Sequence, residues 1–330
     1  MAVQRLAIVG TGLIGASVGL AASAHGARVA GWDPDGQALA VAAERGAVDE
    51  PAGSVEEALD GAELAIVAAA RSARFVGGHP ICGLEAHGPE HAAAALFDGA
   101  TWFLTPTADT DPARYRLVHG FVAELGARPA AIDAAAHDRL VALTSHLPHV
   151  LANVVANQAG AARIEGHEPL ASAGGSLRDM TRIAGANPRI WVDIFRDNAA
   201  AVRDALAEHR RRIEEVEAAL GRDDAGSIAA WIGEAADNRR RMLERAYPDA
   251  RDLHELRVHI ADRPGAFAEV TQAFGAERVN IEDFDMQHIS PELGGTLTLL
   301  VATADAAERM AAVLGALGYA VVVSAVLDAH

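Results

Sequence analysis

The chain has 330 residues, 51% hydrophobic and 22% charged, enough apolar content for the cores of two or three domains. A net charge of −17 makes nucleic acid and anionic membrane surfaces poor partners. All 28 basic residues are arginine, which removes lysine Schiff bases, a lysine-held pyridoxal cofactor and the Walker A phosphate loop. The single cysteine, Cys82, removes an internal disulfide and cysteine-rich zinc sites, and fits a reducing cytoplasm.

RLAIVG (5–10) predicts a short buried strand, and GTGLIGASVGLAASAHG (10–26) a turn and a helix closed by Gly26. The apolar run from Leu6 to Ala24 approaches membrane-spanning length, and ASA resembles a signal cleavage site. Gly10, Gly12 and Gly15 interrupt that run at nucleotide-loop spacing, so neither export nor insertion is expected. ARVAGWD (27–33) predicts a second strand stopped by Pro34, DGQALAVAAERG (35–46) a helix, and ELAIVAAA (63–70) a later strand. This rhythm implies a parallel, doubly wound sheet. TWFLTPT (101–107) and ARPAAID (127–133) read as further strands flanking a helix. From Ala134 the period changes to long alanine-rich helices over 134–164, 188–220 and 224–246, a pattern that packs helix on helix, often across a dimer. AYPDARD (246–252) reads as a polar linker, and β-α-β-β-α-β follows from 253. The expected organisation is an α/β Rossmann-type dinucleotide-binding domain over 1–133, an all-α helical substrate and dimerisation domain over 134–247, and an α+β module over 253–330.

GTGLIG (Gly10, Thr11, Gly12, Leu13, Ile14, Gly15) follows a strand and opens a helix, the context that a dinucleotide fingerprint requires. Gly10 permits the tight turn, Gly12 the approach of backbone to a pyrophosphate, and Gly15 close helix–strand packing. The helix N-terminus offers free N–H groups to the phosphates. Asp33 ends the second strand 18 residues after Gly15, where a carboxylate accepts both ribose hydroxyls and repels a 2′-phosphate. NAD is therefore expected over NADP.

Three further segments hold polar residues that a core tolerates poorly: GGHPICGLEAHG (77–88), AAHDRLVALTSHLPH (135–149) and GGSLRDMTRIAGANPRIW (174–191). With GTGLIG and LFDGATWFLTPT (96–107), they resemble the prephenate dehydrogenases of tyrosine biosynthesis over nearly the whole chain. DRPGAF and VNIEDF in the last segment resemble an ACT domain, a small amino-acid-sensing module. The resemblance implies NAD-dependent oxidative decarboxylation of prephenate to 4-hydroxyphenylpyruvate. It places the catalytic histidine at His79, where a base poised near neutrality takes the hydroxyl proton as hydride departs. Arg182 matches the arginine that holds a substrate carboxylate, where a bidentate fork suits best. His137 and His149 match substrate-contacting positions, and Gly175, Asp179 and Trp191 match residues that close the pocket, in some members from the partner subunit. In the ACT-like module the implied effector is tyrosine, contacted by Asp262, Gly265, Ala266, Asn280 and Ile281, and the implied assembly is a homodimer or higher homo-oligomer. An arogenate dehydrogenase would differ only in an amine for a ketone on the substrate side chain.

Plainer readings stand beside these. The histidines could be helix-packing residues, and His146 with His149 lacks a third ligand for a metal. Pro148 favours a pocket wall, since a mid-helix proline kinks the helix and frees a carbonyl. Arg182 could pair with Asp179 on its own helix face. Trp191 could be core, and Cys82 a small buried filler rather than a nucleophile.

AIVAAARSARFVGGHPICG (65–83) has no room for the crossover that a parallel strand needs. Family members place a helix and a strand there, carrying a D-x-G-S-x-K-like motif whose serine orients the catalytic histidine. Either the chain lacks this element between Ala69 and Phe75, or the sequence as written has lost residues at the junction. Loss of a central strand would expose a sheet edge, which favours the second. In the first case an impaired enzyme acting as an amino-acid-binding regulator becomes credible.

Overall fold

The computed structural model describes residues 3–67, 75–82, 88–246, 253–290 and 294–326. The junction between Ala69 and Phe75 and the linker at 247–252 lie outside the described residues. The chain divides into two compact units, 1–151 with 185–205, and 152–184 with 206–330.

In the first unit, β1 (Arg5–Val9), α1 (Leu13–Ala24), β2 (Arg28–Trp32), α2 (Gly36–Glu44), β3 (Glu50–Pro51), α3 (Val55–Leu59) and β4 (Leu64–Val67) follow one another. The strands are parallel in the order β3-β2-β1-β4. Leu6, Ala7 and Ile8 of β1 are fully buried, as a central strand covered on both faces requires. Side chains of Asp35 and Ser54 accept N–H groups at the starts of α2 and α3, satisfying donors the helices leave unpaired.

Beyond β4 the expected parallel arrangement gives way to an antiparallel pair. β5 (Gly77–Pro80) runs antiparallel to β6 (Thr101–Thr105), which pairs in parallel with β7 (Arg128–Ala131) beyond α4 (Pro112–Glu124). These three strands form a sheet of their own, and among the described residues β4 pairs on one side only. The two sheets nevertheless share a core, in which Leu6, Ile8 and Val18 join Phe97, Trp102, Leu104 and Phe121. Pro80 is tolerated because β5 is an edge strand, where a missing N–H breaks no central ladder.

The first long helix is also interrupted. α5 (Ala134–Val141) passes through a π-helical turn at Ala142–His146 into α6 (Leu147–Ala161), just ahead of Pro148, whose ring supplies no N–H. The expected helix at 188–220 divides at Asn198 into α8 (Pro188–Asp197) and α9 (Ala199–Gly221), after a short α7 (Gly175–Thr181). α10 (Ala225–Ala246) follows. No described helix is long and apolar enough to cross a membrane.

The C-terminal segment has the expected element order: β8 (His254–Ile260), α11 (Ala266–Ala276), β9 (Asp283–Ser290), β10 (Gly294–Val301), α12 (Ala304–Ala316) and β11 (Ala320–Ala325). Its strands are antiparallel in the order β11-β8-β10-β9. Leu256, Val258, Leu297 and Leu299 pack against Val270, Phe274, Met310 and Leu314, so both helices cover one face. The first and last strands meet at their ends: Ala325 pairs with His254, and the Val326 N–H donates to the Leu253 carbonyl at 2.8 Å.

Candidate active site

The glycine loop follows from close packing. Gly10 has φ 102° and donates its N–H to the Trp32 carbonyl at 2.8 Å, tying the turn to β2. A Cβ on Gly15 would lie 1.9 Å from the Gly10 carbonyl oxygen, so only glycine lets α1 start this close to β1. A Cβ on Gly12 would meet nothing within 4 Å, and no side chain caps α1 there, so Leu13 and Ile14 open the helix beside clear space. Asp33 Oδ2 accepts the Thr11 N–H at 2.6 Å and the Thr11 hydroxyl at 3.2 Å, while Oδ1 accepts the Asp35 N–H at 2.8 Å. A carboxylate oxygen takes two donors, so Oδ1 keeps room for a ribose hydroxyl. An uncapped helix start that donates N–H groups, open space at Gly12 and a fixed carboxylate that accepts are the groups that NAD needs.

The same unit gathers a histidine cluster. His79 on β5 lies opposite Phe103 of β6, and its Nδ1 is 2.9 Å from His137 Nε2 on α5. His137 Nδ1 is 3.0 Å from Asp138 Oδ1, and the Phe103 ring meets His137 edge-on at 5.9 Å. His79 remains open to solvent at its surface. Desolvation by the protein around its ring, aided by His137 and His146, nonetheless pushes its pKa below the ordinary histidine value. Burial and His149 lower His146 likewise. Gly77 and Gly78 find their reason across the strand pair: a Cβ would lie 2.3 Å from Thr105 Oγ1 or 2.9 Å from Trp102 Nε1.

The π-helical turn brings His146 inward, where it is 8% exposed. Asn198 Nδ2 donates to the Asp138 carbonyl at 2.8 Å and bonds His146 Nδ1 at 3.2 Å. His149 donates Nδ1–H to the Ser145 carbonyl at 3.0 Å and stacks on Trp191, with centroids 3.6 Å apart at 28°. Trp191 is half-buried rather than core, and its indole also meets Phe195 at 5.2 Å. Asp138, Phe195 and Asn198 were not singled out as site residues from sequence, and His146 was weighed only as a packing residue or half of a metal pair. Cys82 packs against the apolar core, which raises its thiol pKa. Among the described residues no group of three or more His, Cys, Asp or Glu could hold a metal ion.

Gly175, Asp179 and Arg182 lie in the second unit. Gly175 opens α7 and Arg182 closes it, its backbone N–H donating to the Asp179 carbonyl at 3.3 Å. Asp179 and Arg182 line a cavity of about 630 Å³ with Arg239 of α10 and with Glu255, Arg257, Asp285, Thr296 and Thr298 of the C-terminal sheet. Within it Arg257 pairs with Glu255 at 2.5 Å. At the start of α11, Gly265 is left-handed with φ 89°, and Asp262 lies just before it. Ala266 is buried, Ile281 packs on the module's core, and Asn280 Nδ2 donates to Glu282 Oε1 at 3.0 Å.

Comparison with known proteins adds to this geometry. The family models "Prephenate dehydrogenase, nucleotide-binding domain" and "Prephenate dehydrogenase, dimerization domain" match residues 65–131 and 133–234, together just over half of the chain. A prephenate dehydrogenase of Bacillus subtilis (strain 168) is 28% identical over 238 residues, 72% of this chain and 64% of the relative. The chain thus spans less than two thirds of that protein. A probable prephenate dehydrogenase, NovF, of Streptomyces niveus is 28% identical over 349 positions, 91% of this chain and 94% of the relative. Two solved structures share the fold at 24% identity, each over 72% of this chain. They are prephenate dehydrogenase of Aquifex aeolicus with hydroxyphenyl propionate and NAD+ (TM-score 0.68, 98% of that chain) and Synechocystis arogenate dehydrogenase (TM-score 0.64, 99% of that chain).

Proposed function

The chain belongs to the prephenate dehydrogenase family, and from that premise we propose that it carries out NAD-dependent oxidative decarboxylation of prephenate to 4-hydroxyphenylpyruvate in tyrosine biosynthesis. In this reading residues 1–133 hold the cofactor, 134–247 supply substrate contacts and the dimer, and 253–330 form an ACT-type module that senses tyrosine. NAD+ when bound accepts the hydride that leaves the ring carbon bearing the hydroxyl. Asp33 and the glycine loop orient that cofactor. His79 holds the hydroxyl proton at Nε2 while the ring carboxylate leaves as CO₂, its bonding pair remaining in the ring. The proton then returns to the new phenol oxygen, so turnover releases none. In the first unit His149 and Trp191 contact substrate; in the second Arg182 pairs with a substrate carboxylate, with Gly175 and Asp179 beside it.

The observation that carries this reading is His79. It is an imidazole with its pKa held below the ordinary value, fixed by a 2.9 Å bond to His137, in the unit that also presents a dinucleotide loop. Exposed apolar side chains along the helical segment, among them Leu143, Ile164, Ile213, Trp231 and Met242, support a dimer. The cavity shared by Arg182 and the C-terminal sheet supports regulation, since an effector that moves that sheet reaches a substrate ligand directly.

Arogenate is the second substrate reading, favoured by the likeness to the Synechocystis enzyme. The test is NADH formation with prephenate and with arogenate. His79→Asn is expected to lower kcat by ~10²–10⁴-fold with little change in KM, as for a group needed chiefly in the transition state. A variant keeping more than about a tenth of the rate would remove His79 from the base's role. Tyrosine binding without turnover of either substrate would leave the regulator reading in its place.

A further inference from the structure

Building on the reading proposed above, we infer that Asp138 and His137 act in series to set the ring tautomer of His79, so that its Nε2 bears the lone pair offered to the substrate hydroxyl. With both rings neutral, the hydrogen bonds admit one consistent assignment of protons. The Asp138 carboxylate only accepts, so at 3.0 Å it takes the Nδ1–H of His137. A neutral imidazole carries one proton, and with that proton on Nδ1 the Nε2 of His137 must accept. His79 Nδ1, 2.9 Å away, therefore donates to it, and Nε2 of His79 is left as the base. The opposite assignment would set a lone pair of His137 against a carboxylate and turn His79 Nε2 into a donor, unable to take a proton.

The surroundings hold this order in place. Phe103 faces His79 across the β5–β6 pair and meets His137 edge-on, so one strand pair positions both rings. Asp133 caps α5 by accepting the Ala136 N–H at 3.0 Å, which fixes the turn that carries His137 and Asp138. Asn198 anchors the Asp138 backbone from the α8–α9 turn at 2.8 Å. His146 on the π-helical turn also acts on His79, and His149 at the start of α6 acts on His146. When His79 borrows the hydroxyl proton, its positive charge faces an acceptor imidazole backed by a carboxylate, and the proton goes back to the same oxygen once the ring is aromatic. Asp138 and His137 are thus positioning residues. They determine which nitrogen of His79 can act.

The experiment is nitrogen NMR of the full chain labelled with ¹⁵N-histidine, at pH 7.5, with His79 assigned by the signals lost in His79→Asn. The wild type is expected to show His79 protonated at Nδ1. In Asp138→Asn the side-chain amide can donate to His137 Nδ1, and His79 should shift toward the Nε2–H form. In steady-state kinetics the same variant should lose on the order of tenfold to a hundredfold in kcat with KM little changed, and Asp138→Glu should recover part of it. A wild-type His79 protonated at Nε2, or an Asp138→Asn protein with an unmoved tautomer, overturns the inference. Should Asp138→Asn fail to fold, the wild-type tautomer decides alone. Nδ1 protonation that responds to Asp138 in a chain without dehydrogenase activity sustains the tautomer assignment while sinking the proposed reaction.

Discussion

Two imidazoles in the first unit, His79 and His146, resist protonation in the folded chain, both chiefly through desolvation. In the unfolded chain each returns to the ordinary value of about 6.5. Below that pH the unfolded state binds protons that the folded state refuses, so stability falls as pH drops through about 6.5 and toward the lowered native values. Glu208 works in a separate window, since Arg211 pulls its pKa to about 2, and its contribution fades only in stronger acid. The expected result is a lower urea midpoint at pH 5.5 than at pH 7.5, with part of the difference gone in His146→Gln. A midpoint flat across that interval would remove the desolvation argument for both rings. At this scale the spacing from the glycine loop led to Asp33 at the end of the second strand, whereas His79 was reached through the family resemblance. The sequence was silent on Asp138. Consecutive helical residues normally diverge, and nothing in HD says that the aspartate turns back onto its neighbour's Nδ1 while the histidine reaches a strand 58 residues away.

Elements whose signals are local were legible: the alternation of β1, α1 and β2, the long helices, and the order of the C-terminal strands. Elements set by distant partners were not. β5 is only a glycine pair, a histidine and a proline, and its antiparallel direction comes from its pairing with β6. The π-helical turn escapes a pattern based on 3.6 residues per turn, although Pro148 marked the place. Asn198 shows how such irregular points are joined. Its amide holds a carbonyl of α5 and a ring of the π-helical turn, so Asn198→Ala would leave a backbone acceptor and a buried imidazole nitrogen short of partners. The expected cost is about 1–3 kcal/mol, read as a fall in the urea midpoint without a change in slope. An unaltered midpoint would mean that solvent replaces both bonds.

For the molecule as a whole, the break in the sheet is the main departure from the anticipated architecture. Among the described residues β4 pairs on one side only, and β5 opens a second sheet. The C-terminal module, by contrast, has its own core, drawn from residues 256 to 323. Ending the chain after residue 246 should therefore leave a protein that still forms NADH but no longer responds to tyrosine. Unchanged inhibition would assign tyrosine to the Arg182 site instead. The hydrogen bond from Val326 to Leu253 has a consequence of another kind. A module whose entrance and exit meet at one corner is a portable cassette. It can be grafted into a surface loop of an unrelated host at little loop-closure cost, because the host's two cut ends need not be drawn apart to receive it.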